Sequence, residues 1–398
     1  MQRTFVLPGL ITAIAILLVP ETATAQGIRG RADWMFLSRN NDSVSVPYIT
    51  GPDTFSGSGV DFGYESGYRF MLGYGSPSYE IEAQFTAVDN WSEQSFATLT
   101  EELFFDNNAA NAFVNGGTPG NVFGIMTALG VAAEDPFTTT LDDETLESEF
   151  LIPGANASYR YESEYADVEI NITTPRCDWF RFGLGYRHVD LDERAGFAIS
   201  GLFDALDVDD GQTVGGASND DNDGLSNAAL EEAGFAATGG ADGFDNILNA
   251  AGPDTLTIGI DAQTTNRLDG LQGVFEGSIV DSPYFLLDLT ARLGVFHNNT
   301  SADVTETVAG SGNDTSVYTR SLRDTDNTYA FLVGTGLRAG IKLTDNARIH
   351  TGYEFIFIDG VALAPNQPSR VGPGGVFNID NGSNILIHGA RVGLELVW

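Results

Sequence analysis

The stretch that decides the fold runs from Tyr79 to Ala87 and reads Tyr-Glu-Ile-Glu-Ala-Gln-Phe-Thr-Ala. Its odd-numbered residues are apolar and its even-numbered residues are polar, which is the period-two pattern of a β-strand with two different faces. A second alternating stretch, from Tyr68 to Tyr74, precedes it, and only Ser76-Pro77-Ser78 separates the two. Together they predict an antiparallel β-hairpin with a short turn.

The same construction recurs along the rest of the chain. Three further pairs of alternating stretches are each joined by three or four residues, and a single stretch lies near each end of residues 26–398. The predicted strands occupy residues 28–38, 68–74, 79–87, 156–174, 179–200, 264–280, 285–298, 329–343, 347–358 and 385–398. The sequence therefore predicts ten strands.

The connections between these strands alternate in length without exception. The short ones are 76–78, 175–178, 281–284 and 344–346, and the long ones are 39–59, 92–155, 201–254, 299–328 and 359–384. Bacterial outer-membrane barrels have an even number of antiparallel strands, short periplasmic turns and long outer loops, whereas a soluble sandwich or propeller has no reason to place every long loop at one end. We therefore expect an all-β fold: a single antiparallel transmembrane β-barrel of about ten strands, within a range of about 8–14.

The N-terminus predicts export. Met1-Gln2-Arg3 is a short positive start, residues 5–19 are mostly apolar, and Ala23-Thr24-Ala25 has the small-residue pattern of a signal-peptidase site. We expect residues 1–25 to be a signal peptide cleaved before Gln26, and residues 26–398 to form the barrel, with long loop insertions at 92–155 and 201–254. An uncleaved N-terminal anchor is the alternative, although the apolar segment is short for a spanning helix.

Acidic residues dominate the composition, with 55 Asp and Glu against 19 Lys and Arg and a net charge of −36. This charge excludes a general nucleic-acid binder, whose phosphate contacts need basic residues, and argues against a peripheral protein held on an anionic leaflet. Two interpretations remain: solubility of exposed loops, or attraction of cations to the mouth of the barrel. The single cysteine, Cys177, excludes an intrachain disulfide and falls in a predicted turn.

The alternation also assigns each side chain to the lipid or to the barrel interior. The expected lipid-facing residues of two late strands are Tyr329, Phe331, Val333, Leu337, Ile341, Ile349, Tyr353, Phe355 and Phe357. The expected lumen-lining residues are Arg69, Glu80, Glu82, Arg181, Arg187, Asp288, Arg292, His350, Glu354, Arg391 and Glu395, joined by Glu162, Glu164, Glu276 and Arg338. Because an unpaired buried charge is costly, we expect these groups to pair in a narrow lumen that conducts weakly and favours cations.

The chain ends in a strand whose expected lipid face reads Ala390, Val392, Leu394, Leu396 and Trp398. An apolar alternation that ends on an aromatic residue is the usual form of the signal read by the barrel-assembly machinery. We therefore expect Trp398 to be the assembly signal, and outer-membrane lipid and the assembly machinery to be partners.

Four segments carry a family resemblance: GYESGYRFMLGY (63–74), FRFGLGYRHVDLDER (180–194), IHTGYEFIFIDGVALAPNQ (349–367) and IHGARVGLELVW (387–398). In this order they resemble the β-barrel porins typical of planctomycete bacteria and, more distantly, the Legionella-type major outer membrane proteins, which form pores. The resemblance covers most of residues 26–398 but not the two long insertions, and His188 departs from the residue type usual there. It implies an outer-membrane barrel named a porin by analogy, with no functional residues to carry over.

Three motifs that suggest other chemistry are weak. Gly334-Thr-Gly336-Leu-Arg-Ala339 fits a dinucleotide-binding pattern but lies within an alternating strand. The segment 219–224 resembles half of a calcium loop, with Asp221 and Asp223 as ligands of a loose site, but the twelfth position is Leu230. His350 and Glu354 share the inner face about 13 Å apart, too far for one metal ion. We expect no enzyme and no cofactor, a calcium site being the alternative to a solvated acidic loop.

Three function classes remain. The function we expect is a passive pore or narrow channel for ions or small solutes, which the resemblance, the acidic loops and the charged lumen positions favour. A structural or adhesive surface barrel without an open pore is favoured by the long loops and the small barrel. A soluble exported all-β protein is the third class.

Overall fold

The computed structural model describes residues 27–40, 47–49, 55–56, 60, 62–100, 103–104, 150–151, 154–175, 177, 179–204, 234–238, 254–311, 317–371 and 375–398. The expected signal peptide and the candidate calcium ligands Asp221 and Asp223 lie outside the described residues. Most of the two long insertions, 92–155 and 201–254, lies outside them as well.

Ten long strands form one closed antiparallel sheet in the described chain. They are β1 (Gly27–Arg39), β2 (Glu65–Gly75), β3 (Glu80–Thr98), β4 (Asn156–Thr173), β5 (Phe180–Asp204), β6 (Asp254–Asp281), β7 (Phe285–Ser311), β8 (Val317–Lys342), β9 (Ala347–Val361) and β10 (Ser383–Val397). Each strand pairs with the next one along the chain, and β10 pairs with β1. The expected single ten-stranded antiparallel barrel is confirmed.

The barrel closes where β1 meets the C-terminus. Ile28 donates a backbone hydrogen bond of 3.0 Å to the carbonyl of Trp398, and Trp398 donates one of 2.8 Å to the carbonyl of Ile28. The indole ring of Trp398 covers Gly30, where an added Cβ would lie 3.2 Å from a ring carbon. The short turns 76–78, 175–178, 281–284 and 344–346 lie at this same end of the strands, as the sequence predicts.

The barrel wall is uneven in height, because six of the strands continue far beyond the other four at the end opposite the short turns. We call their extended part the tall wall: residues 89–98, 156–165, 188–204, 254–269, 297–311 and 317–328. The long loop expected at 299–328 is wrong, since β7 runs to Ser311, β8 starts at Val317, and the two pair along this length. The period-two pattern does continue there, with Ala302, Val304 and Val308 buried, but small polar residues alternate with them in place of lipid-facing apolar ones.

Several short strands and turns lie outside the ten barrel strands. Pro47–Ile49 pairs with Phe55–Ser56, Leu103–Phe104 pairs with Phe150–Leu151 beside β5, and Ala236–Thr238 pairs with the start of β8. Two 3-10 turns, Ala364–Asn366 and Pro368–Arg370, lie between β9 and β10. No helix among the described residues is long and apolar enough to cross a membrane.

The outward face of the barrel changes chemistry along its height. Towards the short turns it is an apolar belt, which includes Trp34, Phe70, Phe182, Leu184, Leu271, Leu293, Phe331, Val333, Phe355 and Leu394, all exposed. On β8 the belt runs from Tyr329 to Ile341, which at about 3.3 Å per residue and a strand tilt of about 40° covers about 30 Å of height. Above the belt, most outward residues of the tall wall are polar or acidic, such as Asp190, Asp261 and Asp303, and Phe96 and Leu202 are exposed apolar exceptions.

Candidate functional site in the barrel interior

The inward face of the belt region carries a layer of charged side chains that reach across the barrel. Thirteen of the fifteen residues expected to line the lumen point inward, and the ion pairs of the charged ones are formed with other inward groups. They are Arg69, Glu80, Glu82, Arg181, Arg187, Glu276, Asp288, Arg292, Arg338, His350, Glu354, Arg391 and Glu395. The alternation places them there, because the opposite face of each strand is apolar and faces outward. We call these residues, together with the inward groups that pair with them, the charged layer.

The centre of the charged layer is the pair Arg69 and Glu354. The guanidinium of Arg69 on β2 donates hydrogen bonds of 2.7 and 2.8 Å to the two carboxylate oxygens of Glu354 on β9, and one of 3.0 Å to the hydroxyl of Thr86. Arg391 lies 3.5 Å from the same carboxylate. Since β1 and β10 lie between β2 and β9 in the sheet, this pair crosses the interior.

A second group of the charged layer lies nearest the short turns. Arg181 on β5 binds Glu80 and Glu82 on β3 and Glu276 on β6. Arg338 donates to Asp288 at 2.7 Å and to Glu395 at 3.1 Å. A polar cavity of about 230 Å³ remains between these groups, lined by Arg29, Glu80, Arg181, Asp281, Leu286, Asp288, Arg338 and Arg348.

A third group of the charged layer links β3, β4, β6 and β7. Glu169 on β4 accepts hydrogen bonds from Gln84 on β3, from Gln272 on β6 at 2.5 Å and from Arg292 on β7 at 3.1 Å. Arg187 donates to Asp167 at 2.7 Å. Strands that are not neighbours are therefore linked through their side chains, and buried charges are matched by opposite ones, as their desolvation cost requires.

A plug lies above the charged layer. The connection between β9 and β10 turns into the barrel, and its residues Val361, Ala362, Leu363 and Ala364 have no exposed surface. Gly360 starts this turn with a φ of +84°, and a Cβ there would lie 2.5 Å from the carbonyl oxygen of Tyr329. Because both the backbone conformation and the space favour glycine, this position fixes the direction in which the plug (residues 361–371) leaves β9.

Polar side chains on the opposite wall hold the plug. The amide of Asn266 on β6 donates to the carbonyl of Ala362 at 2.8 Å and accepts from its N–H at 2.8 Å. Asn298 on β7 donates to the carbonyl of Gly360 at 3.0 Å, and Glu193 on β5 accepts from the N–H of Ala364 at 3.1 Å. The plug thus spans the interior from β9 to three strands across it.

Glu193 belongs to a buried group inside the tall wall. Its carboxylate lies 2.6 Å from the guanidinium of Arg39 and accepts a hydrogen bond of 3.0 Å from Tyr161. Burial raises the pKa of Glu193, and the charge of Arg39 opposes that rise. Around this group the interior is apolar, with Trp91, Phe197, Ile258 and Val304 buried, so the interior above the belt is packed like a protein core.

Two residues expected in the lumen are not there. Glu162 and Glu164 lie on the outward face of β4, where Glu162 pairs with Arg160, while Tyr161 and Tyr165 point inward. The expectation was wrong because it treated the tyrosines as lipid-facing. This part of β4 lies above the apolar belt, where water is outside and aromatic residues are buried inside.

The sequence-based assignment also missed several groups. Asp33, Asp167 and Glu169 are buried acids of the charged layer, and Arg39 and Glu193 hold the plug region. The alternation of β1, β4 and β5 places these residues inward and could have found them. The plug itself has no comparable signal, since its sequence has no period-two pattern.

Of the two histidines singled out from the sequence, one belongs to this site and one does not. The Nε2 of His350 is hydrogen-bonded at 2.6 Å to a carboxylate oxygen of Asp33 in the charged layer, whereas His188 lies on the outward face between Asp190 and Asp269. The glycine motif 334–339 is part of β8. No group of three or more His, Cys, Asp or Glu side chains in the described segments is placed to hold a metal ion.

Comparisons with known proteins give fold-level similarity only. No protein-family model and no curated protein matches the sequence. Among solved structures, the chain is similar to the outer membrane protease OmpT from Escherichia coli, with 11% identity, 95% of this chain and 99% of that chain covered, and a TM-score of 0.39. It is also similar to the CymD monoaromatic hydrocarbon channel (8% identity, 94% and 88% covered, TM-score 0.27) and to the translocator domain of the autotransporter NalP from Neisseria meningitidis (8%, 98% and 94%, 0.22).

Proposed function

We propose that this chain is an outer-membrane protein whose closed barrel anchors the tall wall and its acidic connections at the cell surface. The observation that carries the proposal is that the barrel interior is filled at two successive levels. The side chains of the charged layer cross it at one level, and the backbone and side chains of the plug cross it at the next. Eight-stranded barrels are just filled by side chains and open aqueous channels appear at about sixteen strands, so a ten-stranded barrel suits a closed interior.

The apolar belt supports placement in a membrane. Soluble proteins rarely expose large contiguous apolar surfaces, and a ring of them around a closed sheet matches the band expected of an outer-membrane barrel. The short turns then lie in the periplasm together with Ile28 and Trp398, and the tall wall projects about 35 Å from the outer surface of the membrane. Outer-membrane lipid and the barrel-assembly machinery are the partners that this placement implies.

Planar-bilayer recording on the purified protein tests whether the barrel interior is closed to ions. We expect the protein to insert without producing stable single-channel steps, and liposomes that contain it to stay impermeable to small sugars. Large, stable openings would contradict the proposal, and anion-selective ones would also contradict the role given to the acidic surface.

A narrow channel for ions or small solutes is the second candidate function. The polar cavity of about 230 Å³ at the short-turn end favours it, because this cavity would form the periplasmic mouth of such a path. The path would have to pass both the charged layer and the plug. Weak cation-selective steps in the same recordings, lost when a disulfide fixes the plug to β6, would favour the channel over the closed barrel.

A further inference from the structure

A groove of about 380 Å³ crosses the outward face of the tall wall from β3 to β7. Its floor consists of Ser158, Gly196, Ala198 and Gly259, and its two sides carry Phe96 and Thr307. The strand register explains its shape: Phe96, Ser158, Ala198, Gly259 and Thr307 are successive partners in one row across five strands. Small side chains in the middle of that row leave a trough between larger ones at its ends.

The two floor glycines are not required by the fold. A Cβ added to Gly196 would meet no atom within 4 Å, and one added to Gly259 would meet only atoms at 3.9 and 4.0 Å. Neither glycine has a positive φ. By contrast, a Cβ at Gly185 or Gly270, which point inward, would lie 1.9 or 2.2 Å from its nearest neighbour. Because glycine inside a strand costs about 0.5–1 kcal/mol relative to alanine, and often marks a place where a ligand approaches the backbone, these two glycines indicate a binding surface.

The groups around the trough suit a sugar. The ring of Phe96 is 73% exposed and stands beside the bare floor, so that the apolar face of a pyranose can stack on it. The amide of Gln94 and the hydroxyls of Thr305 and Thr307 line the same groove and can donate to or accept from sugar hydroxyls. The volume falls within the range of about 300–1,000 Å³ typical of small-molecule sites.

The charges around the groove indicate what net charge its ligand carries. Arg160 at the groove pairs with Glu162, and Asp261 pairs with Arg194 through hydrogen bonds of 2.5 and 3.1 Å. The rim is therefore electrically neutral, although the chain as a whole carries −36. A cationic or anionic partner gains no charge pairing at this surface, whereas a neutral one avoids the cost of stripping water from unpaired charges. We propose that the groove binds a neutral oligosaccharide.

The position of the groove agrees with this occupant. Asp261 lies eight residues along β6 from Asp269, the first outward residue above the belt, which corresponds to about 20 Å of height. The groove thus faces sideways, clear of the lipid, in the layer where surface polysaccharides surround an outer-membrane protein. Because the groove lies on the outside of the wall, a ligand can occupy it whether or not the barrel interior conducts.

The test is binding of maltohexaose, cellohexaose and chitohexaose to the protein in dodecyl-dimethylamine oxide, a detergent without a sugar headgroup. Saturation-transfer NMR identifies the bound sugar, and calorimetry gives its Kd. We expect at least one of the three to bind, and Gly196→Leu, which fills the trough, to weaken that binding by about tenfold or more, a loss of ~1.4 kcal/mol. Phe96→Ser should weaken it similarly, and the matched control Thr325→Leu, on β8 outside the groove, should not.

The folded state of each variant is checked by heat-modifiable gel mobility, and Gly259→Thr replaces Gly196→Leu if the latter fails to fold. Failure of all three sugars to bind overturns the proposal. Unchanged binding in a folded groove-filling variant, or equal loss in Thr325→Leu, also overturns it. Binding of an apolar peptide that Gly196→Leu abolishes, without binding of any sugar, would assign the groove to a protein partner instead.

Discussion

Arg69 on β2 and Glu354 on β9 form a two-hydrogen-bond ion pair across the barrel interior, with distances of 2.7 and 2.8 Å. Both side chains are less than a tenth exposed, and Arg391 lies 3.5 Å from the same carboxylate. One carboxylate therefore balances two buried guanidinium groups at the centre of the charged layer. Removal of its charge leaves Arg69 without this ion pair, while Arg391 keeps Asp33, 3.5 Å away.

Glu354→Gln is expected to destabilise the barrel strongly, by about 3–5 kcal/mol, because breaking a buried ion pair leaves an uncompensated charge. Urea unfolding in micelles, followed by tryptophan fluorescence, measures the loss. The double variant Arg69→Met with Glu354→Met should lose less, since no charge is stranded. Glu164→Gln is the matched control: this glutamate is exposed on the outside of β4, and its free energy of unfolding should not change. An equal loss in both glutamate variants would place Glu164 in the lumen and contradict the face assignment.

Deleting Trp398 should impair assembly, because the residue supplies two of the backbone hydrogen bonds that close the barrel and a ring that covers Gly30. The fraction of heat-modifiable protein in outer-membrane preparations measures this effect. Trp398→Phe keeps an aromatic ring and should assemble at close to the normal level. Normal amounts of folded barrel after the deletion would show that closure does not need this residue.

The orientation of the barrel can be tested with thiols. Cys177 lies exposed in a short turn, so on intact cells a membrane-impermeant maleimide should leave it unlabelled. In a Cys177→Ser background, Asp303→Cys on the tall wall should label on intact cells, as should an epitope tag at Ala228 in the adjoining insertion. Labelling of Cys177 without permeabilisation, together with protection of the other two sites, would invert the proposed topology.

Much of the barrel could be predicted from the sequence because a strand in the belt has one apolar and one polar face. Period two alone predicted the ring of ten strands, the short turns and twelve inward charged residues, which include Arg181 and Glu395. In the tall wall, the assumption that the apolar face of a strand points outward does not hold. There the outer face contacts water, so Tyr161 and Tyr165 point inward and Glu162 and Glu164 point outward. An assignment that assumes lipid on the outer face therefore exchanges the two faces of this part of β4.

The plug could not be predicted at all. Its buried position depends on Asn266, Asn298 and Glu193, which lie on three strands distant in sequence from residues 361–371. Nothing local distinguishes a connection that folds into a barrel from one that extends away from it. The same holds for cross-lumen partners: alternation shows that Arg69 and Glu354 face inward, but only the curvature of the closed sheet brings them together.

His188 should titrate at an unusually high pH. Its ring is hydrogen-bonded to Asp190 and Asp269 on the outward face just above the belt, and these contacts raise its pKa from 6.5 to about 9. Because the folded-state pKa is the higher one, the stabilisation is complete below about pH 6.5 and disappears as the pH rises through about 9. An NMR titration of the four histidines measures this value, and Asp190→Asn or Asp269→Asn should lower it. A midpoint near 6.5 in the unmodified protein would show that the two aspartates do not hold the ring.

Asn266→Ala should release the plug without opening the barrel wall. The amide satisfies both the N–H and the carbonyl of Ala362 at 2.8 Å, and a buried backbone group left unpaired costs about 1–3 kcal/mol. Hydrogen exchange of residues 361–371 should therefore speed up, while exchange in the belt strands stays slow. Asn327→Ala, at an outward position on β8, is the matched control and should leave the plug protected. Unchanged protection in Asn266→Ala would mean that other contacts hold the plug.

Conductance that appears only in Asn266→Ala would show that the charged layer alone does not close the barrel interior. It would favour the channel function over the closed barrel.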